Sequence, residues 1–176
     1  TNNATWWLEI AGLTAGQKYG YQYFIDGTMK FADPMSSLIL DPSNDGNINA
    51  ATNPNPLPYP TGQTTGFVSV FQPGATPYDW QNTSFQGPAK KDLVIYELLL
   101  RDFVAKHNYQ TLIDTLSYLD ELGINAIELM PPGEFENNES WGYNPSFHKA
   151  LDKYYGTPEK FKEFVDSCHN RGISVI

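Results

Sequence analysis

The arrangement of apolar residues changes near residue 90, and the pattern that follows constrains the fold more than any other feature. Nearly continuous apolar runs at residues 93–100, 124–130 and 173–176 predict three buried strands, and two amphipathic stretches between them predict helices. The second and third runs each start directly after a helix. Strands that alternate with helices through such short connections favour right-handed strand–helix–strand units in a parallel sheet. Residues 92–176 are therefore predicted to form an α/β fold.

Both predicted helices carry start and stop signals. Asn108 is a suitable N-cap for the first helix, and Thr157, which is followed by proline, is one for the second. A glycine follows the last turn of each. Their predicted apolar faces are Leu112, Ile113, Leu116, Leu119 and Leu122 in the first helix, and Phe161, Phe164, Val165 and Cys168 in the second. Cys168 is the single cysteine, so we expect a core residue without an internal disulfide.

The first 90 residues are rich in Pro, Gly, Asn and Thr and have only short alternating segments. Residues 19–25 place Tyr19, Tyr21, Tyr23 and Ile25 on one face of a strand, and Asp26-Gly27 predicts a hairpin turn. Further strands are predicted at residues 6–10 and 67–71. A complete sandwich would need about seven strands. We therefore expect residues 1–76 to be part of an immunoglobulin-like β-sandwich, with residues 77–91 as a linker to the α/β part.

Charge and hydropathy narrow the range of partners. The net charge is −9, without a cluster of Lys or Arg. A phosphate backbone would be repelled by such a surface, so nucleic acid is excluded as an expected partner. No apolar run approaches the roughly 20 residues that span a bilayer, so no membrane-spanning segment is predicted.

The loop at residues 131–156 is the most informative functional feature. Loops from strand to helix usually have about two to six residues, and longer ones are usually functional. This loop leaves the carboxyl end of the second strand, the edge where parallel sheets build their sites. It mixes carboxylates with aromatic residues, a combination that suits a sugar, because rings lie against pyranose C–H faces while polar groups bond hydroxyls. Packing of the loop on its own aromatic residues is the alternative.

Several motifs then occur in order along the α/β part. They are Ile-Tyr-Glu-Leu-Leu-Leu-Arg-Asp-Phe at 95–103, Leu-Gly-Ile-Asn-Ala-Ile-Glu-Leu-Met-Pro at 122–131, Trp-Gly-Tyr-Asn-Pro at 141–145, Asp-Lys-Tyr-Tyr-Gly-Thr at 152–157 and His-Asn-Arg-Gly-Ile at 169–173. This set resembles the start of the catalytic barrel in the α-amylase family, family 13 of the glycoside hydrolases. Residues 21–27 and 32–34 resemble, less closely, the β-sandwich module that precedes the barrel in branching enzymes and pullulanases.

The resemblance implies both fold and activity. The implied fold is the first part of a (β/α)8 TIM barrel preceded by part of the sandwich module. The implied protein is a fragment of a retaining glycoside hydrolase that acts on an α-glucan of the starch or glycogen type. The alternative is a non-catalytic glucan-binding or degenerate protein. We expect an N-terminus that is not the natural one, so secretion to the periplasm or the exterior stays open.

The resemblance also implies the site residues. Tyr143 matches the tyrosine that stacks on the sugar at the cleaved bond, and Trp141 and Asn144 are expected beside it. For Trp141, loop packing is an equally weighted alternative. The catalytic aspartate, glutamate and second aspartate of the family follow strands four, five and seven, so none is expected before Ile176. Calcium is common in the family, but no matching ligands are expected in this chain.

The remaining charged residues are predicted to have structural roles. Glu134 and Glu136 lie in the loop, and we expect both to be solvated and not catalytic. Glu97, Arg101 and Asp102, near the first strand, are predicted to form an ion-pair framework. His148 and His169 lack the spacing of metal ligands.

Overall fold

The computed structural model describes residues 7–176. In the first half the strands are β1 (Tyr19–Tyr21), β2 (Tyr23–Ile25), β3 (Met29–Phe31), β4 (Ile39–Leu40) and β5 (Val68–Phe71). In the second half the strands are β6 (Ile95–Leu98), β7 (Ala126–Leu129), β8 (Gly133–Phe135), β9 (Pro145–Leu151) and β10 (Ser174–Val175). The helices are α1 (Leu100–Phe103), α2 (Tyr109–Glu121) and α3 (Pro158–His169).

The first half forms two small antiparallel sheets. One has the order β1-β5-β4, and the other is the β2–β3 hairpin. The predicted turn is confirmed, because Asp26 and Gly27 both have positive φ, at 52° and 66°. Residues 19–25, whose apolar residues alternate, do not form one strand, however, but the two strands β1 and β2. The side-chain amide of Gln22 donates to the carbonyls of Thr65 and Phe67, at 3.0 and 2.8 Å, where the chain leaves one sheet for the other.

The strand predicted at residues 6–10 is wrong over Trp7–Ile10, and Trp6 lies outside the described residues. Trp7, Leu8 and Ile10 are all exposed. Alternating apolar residues form a strand only where a partner strand and a core are available, and no described strand pairs with this segment.

The second half contains the predicted parallel sheet. Its order is β10-β7-β6, and both strand pairs are parallel. The first strand is shorter than predicted, because Leu100 starts the helical turn α1 instead of ending β6. Leu98, Leu99 and Leu100 are all buried. A run of consecutive buried residues does not distinguish strand from helix, which explains the error.

Both longer helices start where their caps predict. The side chain of Asn108 accepts from the backbone N–H of Thr111 at 2.9 Å, and that of Thr157 accepts from Lys160 at 3.2 Å. The fully buried members of the core on these helices are Tyr109, Leu112, Leu116, Leu119, Phe164 and Cys168. Leu122 was predicted on the apolar face but is exposed, because it is the C-cap residue beyond the last turn. None of the helices within residues 7–176 is long and apolar enough to cross a membrane.

The long loop has secondary structure that the sequence did not predict. Its β8 and β9 strands pair antiparallel with two register irregularities, which leaves residues 136–144 as the tip. We call β8, β9 and this tip the hairpin. Phe135, at the end of β8, is buried in the main core.

The hairpin also packs against the first half of the chain. Ala32 and Ile39 share a buried cluster with Phe147 and Ala150 of β9, and the Phe67 and Phe147 rings lie edge to face at 5.3 Å. We call residues 7–76, which contain β1 to β5, the β-rich region. This region therefore supports the hairpin, which carries the predicted site residues.

Candidate functional site

The hairpin tip presents two aromatic side chains to solvent. Trp141 is 61% exposed and Tyr143 is 65% exposed. Between them the buried Gly142 has φ of +86°, and a Cβ atom there would lie 2.0 Å from the carbonyl oxygen of Pro131. Only glycine permits this close approach. The backbone at residue 142 is thereby held against the segment that follows β7, and the rings on either side of it are exposed to solvent.

Asn144 completes the tip. Its Oδ1 accepts from the hydroxyl of Ser140, whose oxygen accepts from the Gly142 N–H at 3.0 Å. Within the described part of the chain, the Asn144 Nδ2 group donates no hydrogen bond, so it is available to an external acceptor. Two exposed rings and a free amide donor are groups that bind the faces and hydroxyls of a sugar.

Charged side chains are buried at the base of the hairpin. Glu134, Asp152 and Lys153 are only 4%, 2% and 4% exposed. The Lys153 Nζ atom lies 2.6 and 2.7 Å from the two carboxylate oxygens of Glu134 and 3.2 Å from Oδ1 of Asp45. Asp152 accepts from the backbone N–H groups of Phe135 at 3.1 Å and Tyr154 at 2.8 Å. The prediction that Glu134 is solvated is wrong, because it has a buried partner.

Burial shifts the protonation of this cluster. It raises the pKa of Glu134 to about 8, against the opposing effect of Lys153, and raises the pKa of Asp152 to about 6. Burial also raises the pKa of Asp45. For Lys153, burial alone would lower the pKa, but the Glu134 and Asp45 carboxyl groups outweigh it and raise the pKa, so this amine stays charged.

The other predicted charged residues lie elsewhere. Arg101 and Asp102 form an ion pair at 2.7 Å, as predicted, whereas Glu97 is exposed and forms no ion pair with any described residue. Glu136 is exposed, in agreement with its predicted solvation. Cys168 is buried in the core, and burial raises the pKa of its thiol to about 12.

The described carboxylates are not arranged as a metal site. Among residues 7–176, no group of three or more His, Cys, Asp or Glu side chains is placed to hold an ion. The carboxylates of Asp41 and Asp45 already have hydrogen-bond partners. Asp41 accepts from the Ser43 N–H and the Asn44 amide. Asp45 accepts from the Asp41 N–H and contacts Lys153. These residues do not fit a calcium ion, so no chemical role is assigned to one.

Sequence reasoning missed Lys153 and Asp45. In the sequence, Lys153 stands out only as part of the motif at 152–157. Lysine is rarely buried unless it is paired, and its two partners lie far away in the sequence. Tyr154 and Tyr155, which directly follow Lys153, are the local sign in the sequence that this lysine enters a packed region.

Comparison with known proteins gives a consistent picture. The family described as "Alpha amylase, catalytic domain" matches residues 78–176. A malto-oligosyltrehalose trehalohydrolase from Saccharolobus solfataricus is 28% identical over 89% of this chain and 24% of its own length. A 1,4-alpha-glucan branching enzyme from Pseudoalteromonas atlantica is 30% identical over 100% of this chain and 23% of its own length.

A solved structure of a relative is similar to this chain as well. A Salmonella typhimurium protein classed provisionally as an alpha amylase has 30% identity and a TM-score of 0.72, over 96% of this chain and 25% of that one. The 176 residues thus span about a quarter of the length of each relative.

Proposed function

The chain belongs to the α-amylase catalytic-domain family, and from this premise we propose that it is part of a retaining glycoside hydrolase that acts on α-glucans of the starch or glycogen type. The observation that carries the proposal is the exposed pair Trp141 and Tyr143 at the carboxyl edge of a parallel sheet. Active sites of barrel enzymes are built at this edge.

The proposal includes the finer architecture. The β10-β7-β6 sheet, with its helices following the strands, is taken as the first part of a (β/α)8 barrel. The β-rich region before it is taken as part of an immunoglobulin-like module, with the division at residues 77–91. The parallel strand order supports the barrel, because strands of a (β/α)8 barrel pair in sequence order.

In the proposed complex the hairpin tip holds one glucose unit of the substrate. The Tyr143 ring lies against a C–H face of the pyranose, Trp141 forms the adjacent wall, and the Asn144 amide donates to a hydroxyl. Stacking of this kind orients the sugar so that the bond to be cleaved meets the catalytic groups.

The bond cleavage itself needs two carboxyl groups. A retaining glycosidase places its nucleophile and its acid about 5–5.5 Å apart across the glycosidic bond. Glu134 and Asp152 are unsuited to these roles, because they are buried and bonded to Lys153 or to backbone N–H groups. We therefore assign the two catalytic carboxyl groups to parts of the enzyme outside these 176 residues.

The test is substitution of the exposed tyrosine in the complete natural polypeptide that carries this sequence. Tyr143→Ala is expected to lower kcat/KM on soluble starch about tenfold or more, since about 1.4 kcal/mol of transition-state binding is lost. The melting temperature should change little, because the ring is exposed. Tyr118→Ala, which removes an exposed ring on α2, is the matched control and should leave the activity unchanged.

Three outcomes separate the alternatives. Equal loss of activity in both variants, or a fall in melting temperature that parallels the loss in Tyr143→Ala, would make Tyr143 a structural residue. Binding of maltoheptaose without hydrolysis by the unmodified protein would favour the non-catalytic glucan-binding alternative. Absence of both binding and hydrolysis would contradict the proposal.

A further inference from the structure

We propose that Lys153 is a positioning residue that fastens the hairpin to the β-rich region and thereby sets the place of Trp141 and Tyr143. It does so by bridging Glu134 of β8 and Asp45, which starts a short 3-10 turn at Asp45–Asn47. The catalytic part of this inference rests on the proposed function, whereas the mechanical part does not.

Lys153 lies where three segments of the chain meet. It follows β9 by two residues, its amine contacts both oxygens of Glu134 across the hairpin, and it reaches Asp45 in the first half of the chain. Asp45 is itself held in place, because its other carboxylate oxygen accepts from the Asp41 N–H at 2.9 Å. The amine therefore connects Glu134 of the hairpin to a turn that is itself held in place.

The other contacts between the two regions are apolar or uncharged. The cluster of Ala32, Ile39, Phe147 and Ala150 is apolar and would tolerate small displacements. The Asn138 amide, in the tip itself, donates to the Asn44 carbonyl at 2.9 Å, and this neutral bond is weaker than one from a charged amine to a carboxylate. A charged hydrogen bond with a fixed donor–acceptor geometry selects one position more strongly than an apolar contact does.

The energetics favour a positioning role over a stabilising one. Removing charges from water costs about as much as the buried pair returns, so a buried salt bridge is weak support for stability. Two buried carboxyl groups, those of Glu134 and Asp152, lie beside one buried amine, which makes this cost larger. A costly cluster at this point is explained if it fixes the geometry of the element above it.

A displacement of the charged groups around Lys153 would also displace Trp141 and Tyr143, because few residues separate them. Glu134 of β8 pairs with Phe147 of β9. The tip, which carries Trp141 and Tyr143, joins the end of β8 to the start of β9, so a displacement of β8 also moves the tip. Because β8 has only three residues and two register irregularities, its position is weakly fixed by its own ladder. The link through Lys153 supplies the missing constraint.

The experiment compares two substitutions in the same turn, made in the complete natural polypeptide. Asp45→Asn removes the negative charge that faces the Lys153 amine and leaves one oxygen for two donors, so the link to Lys153 is weakened in either orientation of the amide. Asp41→Asn loosens the same turn by weakening its bonds to Ser43 and Asn44 but leaves the Asp45–Lys153 contact intact. Asp45 is partly exposed, so its variant should fold.

Two measurements are made on each variant. Hydrogen–deuterium exchange of residues 133–151 should rise about fivefold or more in Asp45→Asn and much less in Asp41→Asn. With maltoheptaose, KM should rise by a similar factor in Asp45→Asn while kcat changes little, because the aromatic pair is displaced but the catalytic groups are not.

Equal exchange in the two variants, or unchanged exchange in Asp45→Asn, would overturn the positioning role whatever the enzyme does. Faster exchange with no change in KM would overturn its extension to substrate binding. If the unmodified protein neither binds nor cleaves glucans, the proposed function fails, while the exchange data still decide whether Lys153 fastens the hairpin.

Discussion

Glu134 is the residue whose chemistry departs most from expectation. Its folded-state pKa is about 8, above the ordinary 4.5, so the folded protein binds a proton that the unfolded chain releases. Its contribution to stability is complete below about pH 4.5 and is lost as the pH rises through 8. Asp152, with a pKa of about 6, and Asp45 act in the same direction, and Lys153 stays charged throughout this range.

We therefore expect the free energy of unfolding to fall as the pH rises across this window, by up to about 1.4 kcal/mol per pH unit for each proton. Urea unfolding at a series of pH values measures it. Glu134→Gln, which stays neutral, should have a flatter dependence than the unmodified protein. The same slope in both, or a steeper one in the variant, would contradict the assignment to Glu134.

Some residues of the candidate site could be predicted from the sequence, and others could not. The motif at 141–145 indicated Trp141, Tyr143 and Asn144 because it depends on residue type and order alone, and their contact with a glucan stays a prediction. The burial of Glu134 and Lys153 could not be predicted in this way. It depends on Asp45 and on the packing of the β-rich region, which local sequence does not specify.

At the scale of elements, the longer helices were predictable and the hairpin was not. Caps and apolar periodicity are local signals, and α2 starts directly after Asn108, as they indicate. The hairpin depends on pairing between strands separated by a nine-residue tip, with irregular register. Such pairing leaves little periodic pattern in short strands, so the sequence predicts a loop here and not a hairpin.

The cap of α2 provides a test at this scale. Asn108→Ala removes the acceptor for both the N–H and the hydroxyl of Thr111, at 2.9 and 2.8 Å, and should lower the free energy of unfolding by about 1 kcal/mol. Asn108→Ser keeps an acceptor for the N–H and should lose less. Chemical denaturation of both variants measures the difference, and equal losses would mean that the bond from Asn108 to Thr52, not the cap, is what matters.

At the scale of the whole molecule, the parallel sheet has open sides. Val94, Ile95 and Ile176 are exposed, and the outer edges of β6 and β10 have no described partner strand. Ile127, in contrast, is fully buried because it lies in the central strand. Exposed apolar residues on open strand edges favour association between chains.

A polypeptide of these 176 residues alone is therefore expected to self-associate and to release no reducing ends from soluble starch. Size-exclusion chromatography with light scattering and a reducing-end assay measure the two properties. Ile95→Lys, which places a charge on the β6 edge, should increase the monomer fraction. A monodisperse monomer with a sharp thermal transition would contradict the first expectation, and hydrolysis that survives purification to homogeneity would contradict the second.

The apolar cluster that Ala32 and Ile39 share with Phe147 and Ala150 limits how relatives can be recombined. A chimera that exchanges residues 1–76 alone would set foreign side chains against a retained Phe147, and a mismatch in packed volume costs about 1–3 kcal/mol. The same exchange would replace Asp45 while keeping Lys153. The segment that can be transferred as a unit is therefore discontinuous in sequence: the β-rich region together with the hairpin that rests on it.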